Sequence, residues 1–360
     1  MAFEITGTGR AILSTKLTND ELALRIDTSD EWIKSHTGIE SRYIAGESTV
    51  TSDLAAEAAK NALAMAAGYT GTDLLERDRA AAREAGSIDI IVLGTATPDY
   101  IGTPSTACIT QDKLGAKLAA ALDISAGCTG FVYGLETAAG LLGLSRERKR
   151  ALVIGAEILS RTLDWEDRNT CVLFGDGAGA VVIEKKDAVP EGAAGPRNGS
   201  PPGERRQRGL VHTILKSDGS GNQHLLFRRG GSCSPFKKGE LIDKGIHVEM
   251  DGQEVYNFAV KAVIDTVEGL IKAENIKVDD IARIIPHQAN ARIIQTAAKR
   301  LKIPIEKFYL NIHEYANTSS ASIPIALDEL NRNGSLKKGD LILTIAFGGG
   351  LTYGGNVIIW

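Results

Sequence analysis

Aromatic residues are scarce in this chain of 360 residues, at 5%. Cysteine is scarcer still. Cys108, Cys128, Cys171 and Cys233 are irregularly spaced and form no CxxC pair, which argues against a disulfide framework or a cysteine metal cluster, so no metal is expected. The pattern suits small buried thiols in a reducing compartment. No uninterrupted apolar run reaches about 18 residues, so no segment is expected to span a bilayer. The opening MAFEITGTGR lacks the basic-then-apolar pattern of a signal peptide, and the expected location is cytoplasmic. A surplus of one charge is missing too. The formal net charge is −4, which speaks against a general nucleic-acid or anionic-membrane binder.

What is present points to a large globular protein. Hydrophobic residues make up 43% and charged ones 24%, ordinary values for a chain with a sizeable core. The length favours two domains or a duplicated core. Glycine is abundant at 39 residues, as expected where strands turn tightly into helices.

Short β-rich runs alternate with Ala/Leu-rich helical patterns, the mark of an α/β fold with layered sheets. Residues 88–96, 117–125, 151–157 and 179–184 read as strands, and 51–67, 105–114 and 129–143 as helices. The second half repeats the theme. A strand over 281–287 leads into a helix through ANARIIQTAAKRL, FYLNIH (308–313) stands where a further strand would fall, a helix runs through SIPIALDEL, and LILTIAF and NVIIW flank a glycine turn. Matching pairs such as DISAGCTGFVYGLE with NIHEYANTSSASIP indicate a weak duplication. The halves divide at 1–184 and 210–360. The Pro-, Gly- and Arg-rich stretch 185–209 between them reads as a surface insertion. The charged segment 70–87 reads as a solvated helical extension.

Three residues stand out chemically. Cys128 follows a strand through Ala126 and Gly127 and opens a helix. Unpaired N–H groups at a helix start would lower its thiol pKa and make it nucleophilic. His287 sits at a strand-to-helix edge in PHQAN, where an imidazole can donate a hydrogen bond or carry a proton. Asn317 in ANTSS stands at another helix entrance, where N-capping competes with a role as an amide donor to a developing oxyanion. Gly348, Gly349 and Gly350 follow a strand and would let backbone N–H groups approach a reacting carbonyl. Each feature alone has an ordinary structural explanation.

Taken in order, DISAGCTGFVYGLE, FGDGAGA, PHQANARI, NTSSASIP and AFGGGLTYG, with GTGRAILS, DTSDEWI and TGIESR near the start, resemble the β-ketoacyl-acyl-carrier-protein synthase III family of bacterial fatty-acid synthesis. The resemblance covers nearly the whole chain, least well over 70–87 and 185–240. It implies a thiolase-like, five-layer αβαβα fold of two pseudo-symmetric halves, assembled as a homodimer. It also implies a decarboxylative condensation of an acyl-CoA primer with malonyl-acyl-carrier protein, without a permanently bound cofactor. Cys128 would take up the acyl group, His287 and Asn317 would stabilise the enolate, and the N–H groups of Cys128 and Gly349 would form an oxyanion hole. Such chemistry needs donors for the thioester oxygen rather than a strong base, and covalent storage on sulfur divides the reaction into two simpler steps.

The same resemblance implies that Thr28 and Trp32 line the coenzyme A mouth and that Arg161 makes a second adenine or phosphate contact. Asn290 would touch the pantetheine arm, and Arg292, with Lys299 and Arg300 beyond it, would dock the acidic carrier protein. His36 departs from the family, many of whose members have arginine there. Thr103 falls where several relatives place a bulky aromatic that closes the acyl pocket from the partner subunit, so primers longer or more branched than acetyl are expected. The alternatives are a synthase-III-like priming or acyltransfer enzyme of specialised metabolism and, in another class, a papain-like cysteine hydrolase. The strand–helix alternation argues against the latter.

Overall fold

The computed structural model describes residues 1–11, 13–187, 208–239 and 246–360. Two sheets form its frame. The first contains β1 (Ala2–Arg10), β2 (Ile90–Gly94), β3 (Ala120–Ile124), β4 (Arg150–Glu157) and β5 (Gly177–Lys186), in the order β1-β5-β4-β2-β3. The second contains β6 (Gly209–Ser217), β7 (Ile281–Pro286), β8 (Leu341–Gly348) and β9 (Thr352–Ile359), in the order β7-β8-β9-β6. In both, the edge strand and the two next to it pair antiparallel, and the strand beyond pairs parallel.

The main helices are α1 (Asp30–Thr37), α2 (Thr51–Ala66), α3 (Leu74–Ala85), α4 (Thr106–Leu114), α5 (Gly130–Gly143), α6 (Gly252–Ala273), α7 (Ala291–Leu301) and α8 (Ser322–Arg332). Side-chain alternation along the strands explains their layering. On β2 and β4, Ile91, Leu93, Leu152 and Ile154 face α2 in one core cluster, with Leu54, Ala58 and Leu63. Their neighbours Val92 and Val153 join Phe131, Leu135, Ile323, Leu327, Ile285 and Ile342 in a second. That cluster places α5 and α8 between the sheets. Leu343, Ile345 and Ile284 pack outward on Val263, Val267, Ile294 and Ala297 of α6 and α7. The outcome is the expected five layers, α-β-α-β-α.

Three expectations need correction. FYLNIH forms no strand: Phe308 makes one isolated bridge to Ile284, and residues Ile312–Tyr315 form a helical turn. This leaves the second sheet one strand short of the first among the described residues. The extension at 70–87 is helical over α3, but not solvated all round. Ala80, Ala81 and Ala85 are buried against the outer core, and Arg77 pairs with Glu57 of α2. Most of the insertion expected at 185–209 lies outside the described residues, while Lys185, Lys186 and Gly209 belong to strands. No helix of the described residues is long and apolar enough to cross a membrane.

Candidate active site

Cys128 lies in the single helical turn Gly127–Thr129 that leads directly into α5. Two close backbone approaches fix that turn. A Cβ on Gly348 would stand 2.7 Å from the Cys128 nitrogen, and one on Gly127 would stand 3.1 Å from the Gly349 nitrogen. The turn after β8 therefore lies against the cysteine turn, and only glycine leaves room for the contact. The hydroxyls of Thr129 and Thr352 tie the two turns together, each reaching the Ala126 carbonyl, at 2.6 and 3.0 Å.

His287 ends β7, where its N–H donates to the Ile345 carbonyl at 2.7 Å. Its ring meets Phe347 edge-on with centroids 5.3 Å apart, and its Nδ1 lies 2.8 Å from Ser322 Oγ. The adjacent Gln288 side chain donates to the Pro286 and Tyr309 carbonyls and accepts from Asn311 N–H, which locks the turn. Asn317 is clamped by its backbone: its N–H donates to the Leu173 carbonyl at 2.9 Å, and its carbonyl accepts from Gly175 N–H at 3.0 Å. Its side-chain oxygen accepts the Ser319 N–H at 2.9 Å. A local capping bond is thus present, and it leaves the amide NH2 as the end available to donate elsewhere.

Shared neighbours link the three segments that carry these side chains. Ser319 stands two residues after Asn317, and its hydroxyl is close enough to the Cys128 thiol to pull the thiol pKa down. The Ser320 hydroxyl lies 2.8 Å from both the Gly94 carbonyl oxygen and the Glu157 carboxyl, fixing the Asn317 loop to the ends of β2 and β4. Phe347, beside His287, immediately precedes Gly348, which touches Cys128. All three residues are buried, at 8%, 1% and 6% exposure for Cys128, His287 and Asn317.

Burial also sets their charge. It pushes the Cys128 thiol up to about 12, with the Ser319 hydrogen bond pulling the other way and the Glu157 charge adding to the rise. This corrects the expectation of a lowered thiol pKa, because removing the thiolate from water outweighs the donors at the helix entrance. Burial pushes His287 down to about 3. The resting pair is a neutral thiol and a neutral imidazole. Glu157 is completely buried and its pKa is raised by desolvation, although Thr95, Thr97, Ala96 N–H and Ser320 all donate to it.

The predicted binding residues divide. Thr28 precedes α1, and its hydroxyl is buried without a partner, which leaves a polar atom for a ligand to satisfy. Trp32 lies in the first turn of α1 and stacks on His36 at 4.4 Å. Arg161 is not beside it. Its guanidinium binds the carbonyls of Gly46, Glu47 and Thr49 at 2.9, 2.8 and 2.6 Å. Arg168 stands over the Trp32 ring instead, 5.1 Å from its centroid. Of the arginines in LSRTLDWEDR, sequence reasoning picked the one whose side chain turns back onto its own fold. Asn290 caps α7 through Arg292 N–H at 2.8 Å and donates to the His36 carbonyl at 3.1 Å, so both ends of its amide are engaged. Arg292 is exposed on the first turn of α7, and Thr103 is exposed on the loop before α4. Ser319, Ser322 and Glu157 were missed, since hydroxyls and carboxylates carry no spacing signal for a site assembled from both halves. Among the described residues, no group of three His, Cys, Asp or Glu side chains could hold a metal ion.

Residues 122–194 match the family model described as 3-oxoacyl-[acyl-carrier-protein (ACP)] synthase III, and residues 271–360 match its C-terminal counterpart. The β-ketoacyl-[acyl-carrier-protein] synthase III of Syntrophomonas wolfei is 45% identical over 361 residues, covering all of this chain and 98% of the relative. A solved 3-oxoacyl-[acyl-carrier-protein] synthase III from Aquifex aeolicus is 38% identical, with a TM-score of 0.81 and coverage of 99% and 100%. The priming β-ketosynthase of the R1128 polyketide pathway is 29% identical, with a TM-score of 0.81 over 99% of this chain and 96% of that one.

Proposed function

Since this chain belongs to the 3-oxoacyl-[acyl-carrier-protein] synthase III family, we propose that Cys128, His287 and Asn317 divide between them the two half-reactions of its condensation. The protein is an acyltransferase that initiates fatty-acid synthesis by decarboxylative condensation through an acyl-cysteine. In our reading the primer arrives as an acyl-CoA, the extender as malonyl-acyl-carrier protein, and the enzyme works as a cytoplasmic homodimer without a bound cofactor.

In the first half-reaction the Cys128 sulfur attacks the primer thioester carbonyl. The S–H bond breaks, the S–acyl bond forms, and the coenzyme leaves as a thiol carrying the proton. The N–H groups of Cys128 and Gly349, on the two touching turns, hold the oxyanion of the tetrahedral intermediate. In the second, the malonyl carbonyl oxygen sits against His287 and the Asn317 amide. The bond to the carboxylate breaks, and the electron pair passes into an enolate that these donors stabilise. The enolate carbon then attacks the acyl-cysteine carbonyl: the C–C bond forms, the C–S bond breaks, and Cys128 leaves as a thiolate that takes up a proton from solvent to restore the resting thiol. Residues 1–184 supply the nucleophile and residues 210–360 the donor pair.

What supports this division is the burial of both groups: desolvation makes the His287 imidazole a poor base, and the Asn317 oxygen already accepts the Ser319 N–H, so that each has an N–H rather than a lone pair to offer a substrate oxygen. We assign the coenzyme mouth to Thr28, Trp32 and Arg168, with Asn290 shaping it as a helix cap and Arg292 on the exposed face that would meet the carrier protein. Thr103 is read as leaving room for longer or branched primers.

Intact-protein mass spectrometry with acetyl, isobutyryl and octanoyl coenzyme A tests the whole reading. Cys128→Ser should lose the acyl adduct, whereas His287→Ala and Asn317→Ala should keep it and stop releasing carbon dioxide from malonyl-acyl-carrier protein. An adduct that survives Cys128→Ser would overturn the assignment. Strict acetyl preference would refute the wide pocket, and a preference for primers supplied only in specialised metabolism would favour a role like that of the R1128 enzyme.

A further inference from the structure

The buried hydroxyl of Ser322, the first residue of α8, is met by three groups: His287 Nδ1 at 2.8 Å, the Ser319 carbonyl oxygen at 2.9 Å and the Gln288 N–H at 3.4 Å. A hydroxyl has one proton to give, and here two acceptors compete for it. Ser319 O already accepts the backbone N–H of Ser322 itself, so it is satisfied without the hydroxyl. Among the described hydrogen bonds, His287 Nδ1 has no donor other than Ser322.

We propose that Ser322 donates to His287 Nδ1 and thereby holds the imidazole in the tautomer that carries its proton on Nε2. Ser322 is then a positioning residue, acting on the reaction only through His287. This inference rests on the reading of His287 as a donor to the enolate oxygen, since only the Nε2–H tautomer can donate from the nitrogen not bonded to Ser322. The ring itself is held independently, by the Ile345 carbonyl through the backbone and by Phe347 at its edge. Removing the hydroxyl should therefore free the proton more than the ring. Ordering of a histidine by a hydrogen bond at its second nitrogen is a general device for fixing which nitrogen can act.

Nitrogen-15 spectra of histidine-labelled enzyme, with the His287 signal assigned by its loss in His287→Gln, test the proposal on the wild-type protein. The expected result at pH 7 is a neutral ring protonated on Nε2, and a ring protonated on Nδ1 overturns the proposal outright. In Ser322→Ala the two tautomers should mix. Carbon dioxide release from malonyl-acyl-carrier protein should then fall in proportion to the Nε2–H population that is lost, about 2- to 10-fold, while acyl loading of Cys128, which uses no His287 proton, keeps its wild-type rate. Ser322→Thr, which restores the hydroxyl, should recover both the single tautomer and the rate. Unchanged tautomer and unchanged decarboxylation in Ser322→Ala would also overturn the proposal. Failure of the underlying reading looks different: His287→Ala would then release carbon dioxide at the wild-type rate whatever the tautomer.

Discussion

A Cβ placed on Gly94 would stand 2.6 Å from the carbonyl carbon of Gly130, so the end of β2 and the start of α5 touch backbone to backbone. That contact sets the depth of the cysteine turn. Gly94→Ala should push α5 outward. Overpacking of this kind costs about 1–3 kcal/mol, and a displacement of about 1 Å at a nucleophile can cost about a hundredfold in rate. The expected outcome is a melting temperature lower by a few degrees and acyl loading slowed by more than about tenfold. Calorimetry and time-resolved mass spectrometry measure the two, and loading at the wild-type rate would show that the contact does not position Cys128.

The protonated thiol makes a pH prediction. With Cys128 pushed up to about 12, the thiolate is a small fraction of the enzyme throughout the neutral range, and that fraction grows as pH rises. The loading rate should therefore climb close to tenfold per pH unit between about pH 6 and 9. A plateau inside that window would mean that the thiolate is already formed at rest.

Much of this was legible in the sequence. The alternation of Ile91, Val92 and Leu93 between two cores is the ordinary signature of a strand buried on both faces, and it marked the layers. Cys128, His287 and Asn317 were readable as candidates because each stands where one element gives way to the next. FYLNIH was misleading because apolar alternation does not reveal whether a neighbouring strand offers more than one bridge. The thiol pKa was misjudged because a helix entrance can be read from the sequence and the depth of burial cannot. Arg161 and Arg168 are equivalent on paper, and only the course of the chain decides which one meets Trp32.

Neutral His287 predicts a second pH behaviour. Its ordinary value of 6.5 is lowered to about 3 by burial, so the folded protein keeps the imidazole uncharged above that value. Decarboxylation should show no inflection from His287 between about pH 5 and 8. Stability should respond on the acid side. Below 6.5 the unfolded chain binds a proton that the folded chain refuses, so this group weakens folding progressively as pH falls toward 3 and contributes nothing above 6.5. Urea midpoints of wild type and His287→Gln, compared at pH 7 and pH 5, should draw closer at the lower pH. A gap that widens would contradict a buried neutral imidazole.

The two arginines of LSRTLDWEDR give the sharpest separation between the proposed coenzyme binding and structure. Arg168 is exposed, reaches the Asp27 carbonyl at 3.0 Å and lies over Trp32. Its removal should leave the fold intact and strip a cationic face from the indole that would receive adenine. A contact of that kind is worth about 0.5–2 kcal/mol, so Arg168→Ala should raise the KM for acyl-CoA by roughly 3- to 30-fold with kcat little changed. Arg161→Ala instead abandons three backbone carbonyls of the 46–49 loop. It should lower the melting temperature, and any rise in KM should come with that loss of order rather than alone. Steady-state kinetics and thermal melts on the two variants decide the matter. If Arg161→Ala raised KM at an unchanged melting temperature while Arg168→Ala left KM untouched, the stack on Trp32 would be ornamental and Arg161 would be the residue that meets the coenzyme.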